Sequence, residues 1–236
     1  MADFLLIHGS CHGAWCWRDV LPLLAAAGHT ARAIDLPAHG DDRTPVAGAT
    51  LDSYAAAILA AIANPVILVG HSMAGFPISA AAEAAPERIA KLVHVCAYAP
   101  VSGLSLAQMR RAGPRQPLAD AFHVSPDRQS FGFDPALVND RFYHDCPPEA
   151  QAYAAANLCP EPILPQETAI HLTGRHASVE KHYIRCTEDR AIPPEYQANM
   201  TAAWPADRIS TLPTSHSPFF AAPDALARRL IRIAEA

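Results

Sequence analysis

Pro65-Val66-Ile67-Leu68-Val69-Gly70-His71-Ser72-Met73-Ala74-Gly75 joins an unbroken apolar, β-branched run to a serine set among small residues. A run that is apolar at every position, not at alternate ones, is the pattern of a parallel strand covered on both faces. The Ala-rich stretch that follows forms a helix until Pro86 stops it. At a sharp strand-to-helix turn the residues two before and two after the serine must be small, because the strained backbone lies against neighbouring segments. Here they are Gly70 and Ala74, followed by Gly75, so the motif is a Gly-x-Ser-x-Ala variant of the commoner Gly-x-Ser-x-Gly. The reading predicts an exposed nucleophile at Ser72, with a slightly repositioned elbow at Ala74. The competing role for Ser72 is a plain helix cap.

Strands and helices alternate on either side of this turn. Phe4 to Ile7 reads as a buried strand, Asp19 to Ala27 as a helix closed by Gly28, His29 to Ile34 as a strand and Leu51 to Ala63 as a helix. Leu92 to Cys96 supplies the strand after the Ser72 helix. The alternation breaks over residues 101–177, which are rich in Pro, Gln and Asp and offer helices at Leu104 to Arg111 and Pro148 to Leu158 but no strong strand. So long an insertion is expected to be a helical cap, since a structureless loop of that length does not suit a compact domain. The pattern resumes with a strand at His182 to Cys186, a helix at Pro193 to Ala203, a strand at Arg208 to Leu212 and a helix at Pro223 to Ala234. The expectation is one domain: a doubly wound, mostly parallel α/β core over 1–100 and 178–236, with the cap inserted at 101–177.

A serine hydroxyl needs a base to become nucleophilic, and the base needs a carboxylate to fix its tautomer. In folds of this kind the chain order is serine, acid, histidine. His216, in the loop after the last strand, is the expected base, and Asp189, after the strand ending at Cys186, the expected acid, with Glu188 its neighbour and competitor. The oxyanion of acyl transfer needs fixed N–H donors. Those expected are the backbone amides of Met73, after the nucleophile, and Ser10, in the glycine-flanked loop His8-Gly9-Ser10-Cys11-His12-Gly13. Trp15, Met73, Phe142, Leu158 and Phe219 are expected in the pocket wall, with ordinary core packing as their alternative.

Composition narrows the classes. Half of the 236 residues are hydrophobic and 17% are charged, as in ordinary globular proteins. The net charge of -5, without any run of Lys or Arg, argues against nucleic acid as a partner. The opening residues lack a basic flank and no apolar stretch approaches a membrane span, so a cytoplasmic protein with no membrane partner is expected. The six cysteines show no C-x-x-C pair and read as reduced thiols, and the twelve histidines form no metal-binding helix motif, so no metal is expected.

Four stretches together resemble one family: His8 to Trp17, Ala27-Gly28-His29 with Ala33-Ile34-Asp35-Leu36, Val69 to Gly75, and Cys186-Thr187-Glu188-Asp189 with Ile192-Pro193. They are similar to the plant methylesterase and hydroxynitrile lyase branch of the α/β-hydrolases, which includes a salicylate-binding methyl-salicylate esterase. The likeness covers nearly the whole chain and is weakest over the cap. It implies an α/β-hydrolase fold, the triad Ser72, Asp189 and His216, a small apolar pocket and no cofactor. The lyases of that branch carry threonine where Gly9 stands and lysine where Ser217 stands, and this chain has neither. The expectation is therefore a serine carboxylic ester hydrolase acting on small to medium, largely apolar esters. A ligand receptor on the same fold is the alternative, with the lyase ranked behind both. The sequence leaves the ester and the oligomeric state open, a homodimer included.

Overall fold

A computed structural model describes residues 1–236. Six strands form one sheet: β1 (Asp3–Ile7), β2 (Thr30–Ile34), β3 (Val66–His71), β4 (Ile89–Val95), β8 (Glu180–Cys186) and β9 (Ile209–Leu212), in the order β2-β1-β3-β4-β8-β9. Every pairing in it is parallel. The order reverses direction at β1, so the chain ends leaving β1 and β3 open a crevice at a switch point of the sheet, where ligands of such folds bind. Because Ile7 is paired with Gly70, the loop after β1 and the turn at Ser72 emerge side by side.

The strands are covered on both faces, and alternate residues divide the core. Phe4, Leu6, Ile67 and Val69 face one cluster, with Leu24 of α1 (Leu21–Ala26) and Leu226, Leu230 and Ile233 of α11 (Pro223–Glu235). Leu5, Ile7, Val66 and Leu68 face the other, with Tyr54 and Ile58 of α2 (Leu51–Ala60) and Ile78 of α3 (Gly75–Ala84). Each such aliphatic side chain contributes roughly 1.5–3 kcal/mol by leaving water. Thr50 starts α2 with a reciprocal cap: its hydroxyl accepts the Ser53 N–H at 2.9 Å and the Ser53 hydroxyl accepts the Thr50 N–H at 2.8 Å.

Between β4 and β8 lie α4 (Leu106–Ala112), α5 (Pro135–Phe142), α6 (Pro148–Asn157), α7 (Ile163–Glu167) and α8 (Gly174–Ser178). This stretch is not purely helical, as its sequence suggests. It also carries an antiparallel sheet of β5 (Phe122–Val124), β6 (Ser130–Phe133) and β7 (Glu161–Pro162). Strands of two to four residues are too short for an alternating pattern to register. Two helices, α9 (Pro194–Met200) and α10 (Pro218–Ala221), complete the chain. The six cysteines are unpaired, and no helix is long and apolar enough to cross a membrane.

Candidate active site

Ser72 sits at the turn from β3 into α3 with φ of 56°, a left-handed conformation that is costly for a residue with a Cβ. Packing holds it there. A Cβ added to Gly75 would stand 1.8 Å from the Tyr98 carbonyl oxygen, so the helix starts only because that residue is glycine. Ala74 is fully buried in the same core and its methyl is accommodated, which moves the strict size limit one residue along. The Ser72 carbonyl accepts the Tyr98 N–H at 3.1 Å.

The structure brings Ser72, His216 and Asp189 into one hydrogen-bonded line. His216 Nδ1–H donates to Asp189 Oδ2 at 2.7 Å, which leaves Nε2 bare to accept from the Ser72 hydroxyl at 2.9 Å. Asp189 is buried and fully engaged: Oδ1 accepts the amides of Ala191 and Ile192, and Oδ2 accepts Gln197 Nε2 at 2.9 Å. Glu188 is exposed to solvent, and of the two neighbours it is Asp189 that the fold brings to His216. The backbone of His216 is pinned as well. His71 Nε2–H donates to its carbonyl at 2.7 Å and Cys96 Sγ does so at 3.4 Å. Burial, reinforced by His216, lowers the His71 pKa well below the usual imidazole range and keeps that ring a neutral donor.

Ser10 and Met73 both line the cleft at Ser72. Residues between β4 and β8 fasten the loop that carries Ser10. Tyr143 O–H donates to His12 Nε2 at 2.6 Å, and His12 Nδ1–H donates to the Ser10 carbonyl at 2.7 Å. Gln166 Nε2 donates to Ser10 Oγ at 2.7 Å. Glu161 Oε2 accepts the Cys11 N–H and His39 Nε2–H, both at 2.9 Å, and Cys11 has φ of 62°. Although burial works against its charge, the Glu161 carboxylate raises the His39 pKa and so favours the charged form of the ring.

The cleft at Ser72 is narrow, with a cavity volume of about 30 Å³. Its walls include Met73, Leu106, Phe122, Phe131, Phe133 and Phe142. Of the aromatic and apolar residues expected there, only Met73 and Phe142 line it. Phe219 is wholly buried against His71 and Trp17, at 5.0 and 5.5 Å between ring centroids. Trp15 stacks on His12 at 5.3 Å and Leu158 packs on the same core cluster. Each is near a loop of the site in sequence but turned into the core. Tyr143, Glu161, Gln166 and Arg110 had no place in the sequence reading. Arg110 alone left a trace, as a charge one turn from Leu106 on the otherwise apolar stripe of α4.

Gly9 has no room for a side chain. A Cβ there would lie 2.7 Å from His71 Nδ1 and 2.9 Å from Ser72 Cβ. Gly9→Thr, which installs the lyases' residue, is expected to push both away. We expect esterase activity to fall at least about tenfold and the melting temperature to drop by several degrees, as overpacking by about 1–3 kcal/mol implies. Unchanged kinetics and melting would show that the contact is not limiting.

The alpha/beta hydrolase family model matches residues 4–229, and the chain belongs to that family. Within it the chain groups with the plant methylesterases. It is 31% identical to Methylesterase 7 of Arabidopsis thaliana, over 98% of this chain and 96% of that protein. It is 32% identical to Salicylic acid-binding protein 2 of Nicotiana tabacum, with the same coverage. Among solved structures it is similar to polyneuridine aldehyde esterase, with a TM-score of 0.87, 26% identity and coverage of 99% and 100%. A pyrethroid hydrolase from Sphingobium faniae superposes with a TM-score of 0.89 at 26% identity, covering 100% of this chain and 98% of that one. These relatives support an esterase of the family.

Proposed function

We propose that this chain is a serine carboxylic ester hydrolase working through an acyl-enzyme. Ser72 attacks the ester carbonyl while His216 Nε2 takes its proton, and Asp189 stabilises the imidazolium that forms. The amides of Ser10 and Met73 receive the charge that develops on the carbonyl oxygen, beside the N-terminus of α3. His216 returns the proton to the leaving alcohol. It then takes a proton from the water that attacks the acyl-Ser72 ester, and Ser72 leaves with that proton. Residues 101–177 act as a cap that closes the cleft from water and ties down the oxyanion loop through Tyr143, Glu161 and Gln166.

The observation that carries this reading is the unbroken line from Ser72 Oγ through His216 to a carboxylate satisfied on both oxygens. A receptor that only binds has no use for the acid. An ester panel read in the first seconds tests the reading. With p-nitrophenyl acetate, a burst of p-nitrophenol stoichiometric with protein is expected before steady turnover. Specific binding of small esters without hydrolysis of any would overturn it in favour of the receptor.

A further inference from the structure

Arg110 is the only residue lining the cleft with a permanent charge, among walls otherwise aromatic, aliphatic or neutral polar. It projects from α4, whose start is fixed by the reciprocal cap of Ser105 and Gln108. Its guanidinium carbon lies 4.6 Å from the centre of the Phe122 ring. Its sole hydrogen bond is a long one, from Nη1 to Gln166 Oε1 at 3.4 Å. The adjacent cations are neutralised: Arg111 lies 3.7 Å from Glu167, and Arg115 donates to Glu195 at 2.6 Å. No carboxylate lies within 4 Å of Arg110, and Glu167 acts on it only from farther away, although Arg110 is half-buried and burial penalises its charge. A guanidinium offers five N–H donors in a planar fork that fits a carboxylate. A desolvated cation without a counterion is expensive unless something supplies the anion.

Gln166 links this cation to the reacting end of the cleft. The same amide that accepts from Arg110 donates to Ser10 Oγ, so the guanidinium stands one side chain from the oxyanion loop. Arg111, Arg128 and Glu167 line the adjoining hollow with Arg110, and because Glu167 pairs with Arg111 the excess positive charge there is that of Arg110 and Arg128. Such a patch draws anions toward the opening.

We propose that Arg110 and Gln166 form an anion subsite, and that the preferred substrates are esters carrying a carboxylate a few bonds from the scissile carbonyl, such as half-esters of dicarboxylic acids. This rests on the serine ester hydrolase reading and replaces its largely apolar substrate with an amphipathic one. The spacer lies along Phe122, Phe131, Phe133 and Phe142, and its terminal carboxylate accepts from Arg110.

The test compares methyl half-esters from succinate to suberate with neutral isosteres, for example monomethyl adipate with methyl 6-methylheptanoate. For the wild-type protein, kcat/KM at the best spacer length is expected to favour the charged ester at least about tenfold, as a charge-assisted hydrogen bond implies. Arg110→Lys is expected to keep a preference, and Arg110→Met to bring the ratio to one or below, with melting curves run on each. Equal kcat/KM for charged and neutral esters at every length, or a ratio unmoved in Arg110→Met, would overturn the proposal. Calorimetry on Ser72→Ala protein with monomethyl adipate separates the two readings, because it needs no turnover. Binding that disappears on adding Arg110→Met supports the subsite even where no ester is hydrolysed, an outcome that would sink the hydrolase reading alone. Turnover of neutral esters with no Arg110-dependent binding sinks the subsite alone.

Discussion

Ser72→Ala is expected to lower kcat for ester hydrolysis by about 10⁴–10⁶-fold, with little change in KM for esters whose chemistry is slow. The size follows from what the hydroxyl does. Without it no acyl-enzyme forms, and the remaining amides can only polarise a carbonyl for attack by bulk water. The three groups work as a unit, so His216→Ala should cost nearly as much and the double variant little more than either. Asp189→Asn should cost less than removing the base, because an amide still occupies the site while no longer fixing the tautomer. Its readout is separable from misfolding, since Asp189 also caps the amides of Ala191 and Ile192 and an Asn oxygen can still accept them. Additive losses across the three would mean that the groups do not share one transition state.

The second large effect is acid instability. His8, His12, His71 and His94 are buried. Burial is the leading cause that lowers the pKa of each, to about 4 for His12 and about 3 for His94. In the unfolded chain each titrates near 6.5. Below that value the unfolded state binds more protons than the folded one, so stability falls as pH falls. Each such histidine contributes about 1.4 kcal/mol per pH unit, and four give about 5–6 kcal/mol per unit. Against a total of about 5–15 kcal/mol for a typical domain, this places acid unfolding at about pH 4–5.5. His39 behaves oppositely. Its pKa is raised by Glu161, so its contribution is fully present below about 6.5 and is lost as pH rises through the folded value. Equilibrium urea unfolding between pH 4.5 and 7.5 reads the slope directly. His94→Phe, outside the cleft and packed against Tyr183 and Trp204, should reduce it by about 1.4 kcal/mol per unit. A stability that is flat from pH 7 to pH 4.5 would contradict the assignment of these rings as neutral.

The strand, turn and helix around Ser72 were legible because each is local: a continuous apolar run, small residues at the elbow and a proline stop. Asp189 and His216 were legible because chain order and loop position after a strand constrain them. The fastening of the loop that carries Ser10 was not. Glu161 reaches Cys11 across 150 positions and Gln166 reaches Ser10 across 156, from a stretch whose short strands and helices give no period to read. The aromatic residues mislead for a related reason. Phe219 follows the catalytic loop in sequence, yet its ring turns away from the cleft to fill the core under His71, while Phe122, Phe131 and Phe133 arrive at the cleft on strands of the small antiparallel sheet.

Labelling with a fluorophosphonate, followed by mass spectrometry of the digested protein, tests the central claim most directly. One phosphonyl adduct per chain is predicted, on the peptide containing Ser72, absent from Ser72→Ala and formed far more slowly by His216→Ala. A wild-type protein that stays unlabelled, or carries its adduct on another residue, would contradict the account.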